Sequence, residues 1–170
     1  MEPLEERSLS GQIPSITPIQ DKTSRLVRTQ YEENPYPRWT KIDLVPKSGS
    51  VTSILKSFPL SFDLRDYTTP ERPDILVAGC GTGMHPLTTG SRFSNAQVLA
   101  VDLSLSSLAY AQRKTTQLGF SNIEYVQGDI LELSNLERRF DLIECTGVLH
   151  HLRDPLAGWQ VLFDLLHKTF

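Results

Sequence analysis

Asp74-Ile75-Leu76-Val77-Ala78-Gly79-Cys80-Gly81-Thr82-Gly83 is a short apolar run that empties into a turn with glycine at every second position. An apolar run of this length bounded by glycines reads as a buried strand. Glycines directly after it admit positive φ and let a ligand approach the backbone where a Cβ would collide. A glycine-rich turn alone is weak evidence, because many loops carry one. The surroundings strengthen it. A helix is expected after the turn, and a second apolar run, Gln97-Val98-Leu99-Ala100-Val101, ends in Asp102, nineteen residues beyond Gly83.

The same alternation continues downstream. Ser104 is placed to cap a helix through Leu105, Leu108, Ala109 and Leu118, which Gly119 stops. Asn122–Val126 reads as a third strand, Ile130–Leu136 as a short helix and Phe140–Cys145 as a fourth strand. Asp154–Leu166 closes the pattern as an amphipathic helix with Pro155 in its first turn. Strands alternating with helices, each strand nearly all apolar, predict an α/β fold: a Rossmann-like, doubly wound parallel sheet covered on both faces.

Upstream the chain is built differently. Nine of the eleven prolines lie at or before Pro73, and residues 1–73 balance ten Lys/Arg against ten Asp/Glu. Residues 1–18 read as a mobile tail and residues 19–73 as a proline-rich, helical accessory segment, with helices over Ile19–Glu33 and Val51–Ser57. Asn34-Pro35-Tyr36-Pro37 ends the first of these. Residues 74–170 form the third unit and carry the whole net charge of −3.

Composition excludes several classes. The chain of 170 residues suffices for one domain, and 39% hydrophobic residues can build its core. No apolar run approaches the ~20 residues of a membrane span, and the start shows no secretory pattern. The acidic balance argues against binding nucleic acid through phosphates. Cys80 and Cys145 are too few for a disulfide framework or a metal knuckle, so no metal is expected. A soluble cytoplasmic protein is the expectation.

At the carboxyl edge of such a sheet Asp102 can accept hydrogen bonds from both ribose hydroxyls, or merely cap the helix after it. Asp129, in Gly128-Asp129-Ile130 after the third strand, can accept from the exocyclic amine of an adenine while Ile130 packs on the ring. It can also cap the short helix, and the two roles are compatible.

Four stretches together resemble the class I S-adenosylmethionine-dependent methyltransferases: Ile75–Gly83, Val101-Asp102-Leu103-Ser104, Gly128-Asp129-Ile130 and Phe140–Leu152. The wording is most similar to methyltransferase domains attached to tetratricopeptide repeats, which carry a stretch like Gln30–Trp39 ahead of the domain. The resemblance covers about residues 28 to 166. It implies S-adenosylmethionine as cofactor and an unidentified methyl acceptor. Gly79, Gly81 and Gly83 would surround the methionine part, with backbone contacts from Ala78 and Cys80. Asp102 would hold the ribose with Leu103 beside the adenine, and Asp129 and Ile130 would hold the adenine. Cys145 would lie near the methionyl end. His150 and His151 would line the acceptor side and are the candidate catalytic bases; helix capping is their competing role. Val77 stands where relatives commonly carry an acidic residue, leaving Glu144 or a water to substitute.

The resemblance also implies seven strands where four are legible. The C-terminal strands are therefore expected to be missing, with the fourth strand exposed as an edge for self-association or complementation. Two alternatives remain open: a non-catalytic cofactor-binding fragment or pseudoenzyme, and a nicotinamide oxidoreductase. The Gly-x-Gly-x-Gly turn, where Gly-x-Gly-x-x-Gly would be needed, argues against the latter. Tyr31, Tyr36 and Trp39 either shape the acceptor pocket or anchor the proline-rich segment to the sheet.

Overall fold

A computed structural model of the chain describes residues 4–44, 47–59 and 70–167. Expectations that fall on residues 1–3, 45–46, 60–69 and 168–170 lie outside the described residues. Three helices precede the sheet: α1 (Leu4–Ser10), α2 (Lys22–Glu33) and α3 (Val51–Ser57). Then come β1 (Asp74–Ala78), α4 (Met84–Arg92), β2 (Gln97–Asp102), α5 (Leu105–Gln117) and β3 (Ile123–Gln127). A 3-10 turn at Ile130–Asn135, β4 (Leu142–Glu144), a second 3-10 turn at Leu149–His151 and α6 (Pro155–Asp164) complete it.

The sheet is parallel throughout, in the order β3-β2-β1-β4. Its strands are buried on both faces, which is why their sequences run apolar without alternation. In β1, Ile75 and Val77 enter the core under α4 and α5, while Leu76 and Ala78 enter the core with Phe140, Leu162 and Leu165. The helices start where their caps stand. Asp21 accepts from the Thr23 and Ser24 N–H groups, Ser104 Oγ from Ser107 N–H, and Asp154 from Leu156 and Ala157 N–H.

Two expectations are corrected. Most of residues 1–18 is structured and packed rather than a mobile tail. α1 lies against α5 with Glu6 buried, Ile13 enters the core, and Ser15 bridges in parallel to Gln127 at the outer edge of β3. Sequence periodicity missed this because a buried carboxylate, one bridge and two separate apolar contacts, Leu9 and Ile13, hold it, rather than an apolar stripe. The fourth strand is shorter than Phe140–Cys145, covering Leu142–Glu144, and the residue two positions before it is covered. Phe140 bridges to Leu166, donating its N–H to Leu165 O and accepting from His167 N–H at 3.0 and 2.9 Å. Among the described residues, Leu142–Glu144 pairs with β1 alone.

No helix among the described residues is long and apolar enough to cross a membrane.

Candidate functional site

The carboxyl ends of all four strands open into one cavity of about 660 Å³, within the size range of small-molecule sites. The glycine turn forms its floor. Gly79 and Gly83 have φ of +73° and +87°, a region that side chains disfavour. Space forbids a side chain there too: a Cβ on Gly79 would lie 2.3 Å from Val148 Cγ2, and one on Gly83 2.5 Å from Ala111 Cβ. The turn can therefore press against α5 on one side and the Val148 loop on the other.

Asp102 holds the turn in shape. Its Oδ2 accepts from Gly81 N–H at 2.8 Å and its Oδ1 from Ser104 N–H at 3.0 Å. Burial pushes its carboxyl up from the ordinary range, opposed by N–H donors from Ser104, Gly81 and Leu103; nearby Glu32 adds to the upward push. Each carboxylate oxygen retains a lone pair, so Asp102 can accept further bonds from a ligand in the cavity it lines. Ser104, not Asp102, supplies the side-chain cap of α5.

Asp129 is almost fully buried at 1% exposure, and it lines the cavity. Its Oδ1 accepts from Leu131 N–H at 3.1 Å, capping the 3-10 turn, and its own N–H donates to Thr17 Oγ1 at 2.8 Å. Its Oδ2 has no protein partner. A buried carboxylate oxygen left unpaired is costly unless a ligand or water supplies the donor. Both roles weighed for Asp129 are thus available to separate oxygens.

The other expected residues divide. Gly79, Cys80, Gly81, Leu103, Ile130 and His151 line the cavity. Ala78 is fully buried beneath it, and Cys145 packs half-buried against the Leu162 side of the core; Thr146, Gly147 and Val148 supply the wall there. Burial pushes both thiols up, Cys80 strongly and with help from the Asp102 charge. His150 and His151 are exposed with rings 4.1 Å apart, and His151 alone of the two reaches the lining. Among the described residues, no group of three or more His, Cys, Asp or Glu is placed to hold a metal ion.

The aromatic residues of the N-terminal segment divide as well. Trp39 is an anchor: buried, it donates Nε1–H to Thr82 O at 2.9 Å and meets Tyr110 edge-on. Thr82 Oγ1 in turn donates to Pro37 O at 2.6 Å. Tyr31 and Tyr36 line the cavity. α2 is tied down separately, since Glu32 Oε2 accepts from Ser104 Oγ–H at 2.7 Å and Ser106 N–H at 2.8 Å.

One pair escaped the sequence reading as a unit. His85, in the first turn of α4, lines the cavity and contacts Glu144 Oε2 through Nε2 at 3.0 Å; Thr89 donates to the same oxygen. His85 and Thr89 are four residues apart and share a helix face, a spacing visible in sequence. Glu144 as their partner follows only from the register that sets it beside Val77.

The family model described as methyltransferase domain matches residues 75–168, more than half of the chain. The chain belongs to the methyltransferase domain family. An uncharacterised protein of Synechococcus is 31% identical to this methyltransferase domain over 149 residues, covering 86% of this chain and 35% of that protein. Among solved structures, a S-adenosylmethionine-dependent methyltransferase from Clostridium acetobutylicum superposes with a TM-score of 0.51 at 27% identity, over 58% of this chain and 40% of that one. PKMT2 from Rickettsia typhi, solved in complex with AdoHcy, superposes with a TM-score of 0.52 at 28% identity, over 57% and 19%. The fold is thus the Rossmann-like fold of class I methyltransferases. The chain spans about a third to a half of the length of the first curated relatives it matches.

Proposed function

We propose that this chain binds S-adenosylmethionine in the cavity above the sheet and presents its methyl group to an acceptor not yet identified. The observation that carries this reading is the unpartnered, buried Oδ2 of Asp129, which shares the cavity with Asp102. An adenine amine supplies the donor that Oδ2 lacks, and the ribose hydroxyls suit the remaining lone pairs of Asp102. Charge agrees. The lining carries Asp102 and Asp129 but no Lys or Arg among the described residues, so a cationic sulfonium is favoured over a pyrophosphate. A related protein solved with AdoHcy adds support from outside the chain.

In this reading Gly79 and Gly81 bring the backbone of the turn to the ligand and Gly83 packs the turn against α5, with Ala78 and Cys80 contributing peptide groups from the strand end. Leu103 and Ile130 sandwich the adenine, and the Cys145 end of β4 borders the methionyl tail. The sulfonium supplies an already activated methyl, so the protein's work is alignment and exclusion of water. Tyr31 and Tyr36 line the cavity and shield the cation. His151 is the cavity histidine available to take a proton from an acceptor that carries one. Residues 19–73 act as the cap, and residues 74–170 as the cofactor-binding unit. Membership in the tetratricopeptide-associated group is a finer proposal, resting on Gln30–Trp39 and the role of Trp39 in fastening that stretch to the turn.

Calorimetric titration with S-adenosylhomocysteine tests the reading. Parent protein should bind, Asp102→Ala should lose affinity by about 10- to 100-fold, the worth of one charge-assisted hydrogen bond, and His151→Ala should bind nearly as the parent. Equal affinity of Asp102→Ala and parent overturns the ribose assignment. Transfer of labelled methyl from bound cofactor then separates an enzyme from a binding fragment.

A further inference from the structure

We propose that Ser24, on the inner face of α2, reads the purine of the bound ligand: its hydroxyl donates to a ring nitrogen that flanks the amine. The proposal rests on the cofactor reading above and adds a specificity-determining contact from the N-terminal segment, outside the sheet edge. Among the described residues, four buried side-chain oxygens have no partner in the protein: Ser24 Oγ, Ser107 Oγ, Gln112 Oε1 and Asp129 Oδ2. Two of the four belong to residues that line the cavity, Ser24 and Asp129.

Ser24 is 1% exposed, and its helix offers it nothing to bond. A helical hydroxyl can bond back to the carbonyl four residues earlier, as Thr29, Thr88, Thr89 and Thr116 do here. For Ser24 that carbonyl belongs to Gln20, which precedes the Asp21 cap and lies outside α2. The O–H is left without an acceptor, and a buried donor with no partner is costly.

The ends of α2 place Ser24 near the purine. Ile16 N–H donates to Gln127 O at 2.9 Å and Thr17 Oγ1 accepts from Asp129 N–H, so the chain enters α2 from beside Asp129. At the far end Glu32 is tied to Ser104 and Ser106, past the end of β2. The helix therefore runs from the β3 side to the β2 side with Ser24 in its first turn, toward Asp129. Ser24, Val27 and Tyr31, spaced i, i+3 and i+7, form the face of α2 that lines the cavity. Adenine matches both orphaned oxygens: its amine is a donor for Asp129 Oδ2, and N1 and N7, which flank the amine, accept from a hydroxyl.

The test titrates S-adenosylhomocysteine and its two analogues with carbon in place of N1 or of N7, by calorimetry. Ser24→Ala keeps the N–H that Asp21 accepts, so the cap of α2 survives. The variant should weaken S-adenosylhomocysteine by about three- to tenfold, the worth of one neutral hydrogen bond. For one of the two analogues it should bind no more weakly than the parent, because the acceptor is already gone. Ser107→Ala removes a buried, unpartnered hydroxyl away from the lining and should bind S-adenosylhomocysteine within about twofold of the parent. Unchanged affinity in Ser24→Ala, an equal loss for all three ligands, or the same loss in Ser107→Ala overturns the contact. A parent protein that binds none of the three overturns the cofactor reading, and the Ser24 assignment with it.

Discussion

Glu6 and Arg113 form a buried, two-pronged ion pair. Arg113 donates from Nε and Nη2 to Glu6 Oε1 at 2.9 and 2.7 Å, and Arg38 donates to the other carboxylate oxygen at 2.9 Å. The Glu6 side chain is wholly buried, with α1 on one side and α5 on the other. Arg38 adjoins Trp39, whose indole is bonded to the glycine turn, so one carboxylate links the first helix, the proline-rich segment and the helix behind the cavity.

Removing that carboxylate strands two guanidinium groups. Breaking a buried pair from one side costs about 3–5 kcal/mol, far more than an exposed pair is worth. Glu6→Ala should therefore lower the unfolding free energy by that amount in urea titrations, whereas Glu5→Ala, exposed on the same helix, should change it by less than about 0.5 kcal/mol. Equal small effects would mean that α1 is peripheral.

Asp129 should read the adenine amine. S-inosylhomocysteine replaces that amine with a carbonyl oxygen, which faces the unpartnered Oδ2 as an acceptor against an acceptor. Parent protein should prefer the adenosyl compound by about 10- to 100-fold, and Asp129→Ala should bind the two within about threefold of each other. A preference that survives the substitution assigns the discrimination elsewhere.

Glu144 should make the fold acid-sensitive. Its folded pKa lies below the ordinary 4.5, so the folded state holds fewer protons there than the unfolded chain. The resulting stability is complete above about pH 4.5 and is lost as pH falls through the lower folded value. Urea titrations stepped downward from pH 6 should show a steeper decline for the parent than for Glu144→Gln in that window. Parallel slopes would show that the ionised carboxylate contributes nothing to the fold.

Much of the sheet was legible because its strands are buried on both faces. Ile75–Ala78 and Val98–Val101 have no polar side to confuse the pattern, and glycine or a capping side chain marks where each strand or helix turns. The cavity rim was legible for the same reason: residues just past strand ends in a parallel sheet share one edge, so Asp102 and Asp129 could be placed together from spacing. α1 was not legible, since its docking depends on Glu6 meeting arginines 32 and 107 residues away. Nor could sequence divide the aromatics, because Tyr31, Tyr36 and Trp39 differ in what they meet rather than in type.

The order of apolar runs, glycines and carboxylates along the chain by itself determined a parallel α/β sheet with two aspartates at its carboxyl edge, because those features act through local backbone geometry and strand burial. Only the tertiary structure decided that one Asp129 oxygen stays free, that His151 and not His150 reaches the cavity, and that Glu144 stands behind His85. Each of these turns on side-chain direction and on register between strands distant in sequence, where a shift of one residue would send the same group to the opposite face.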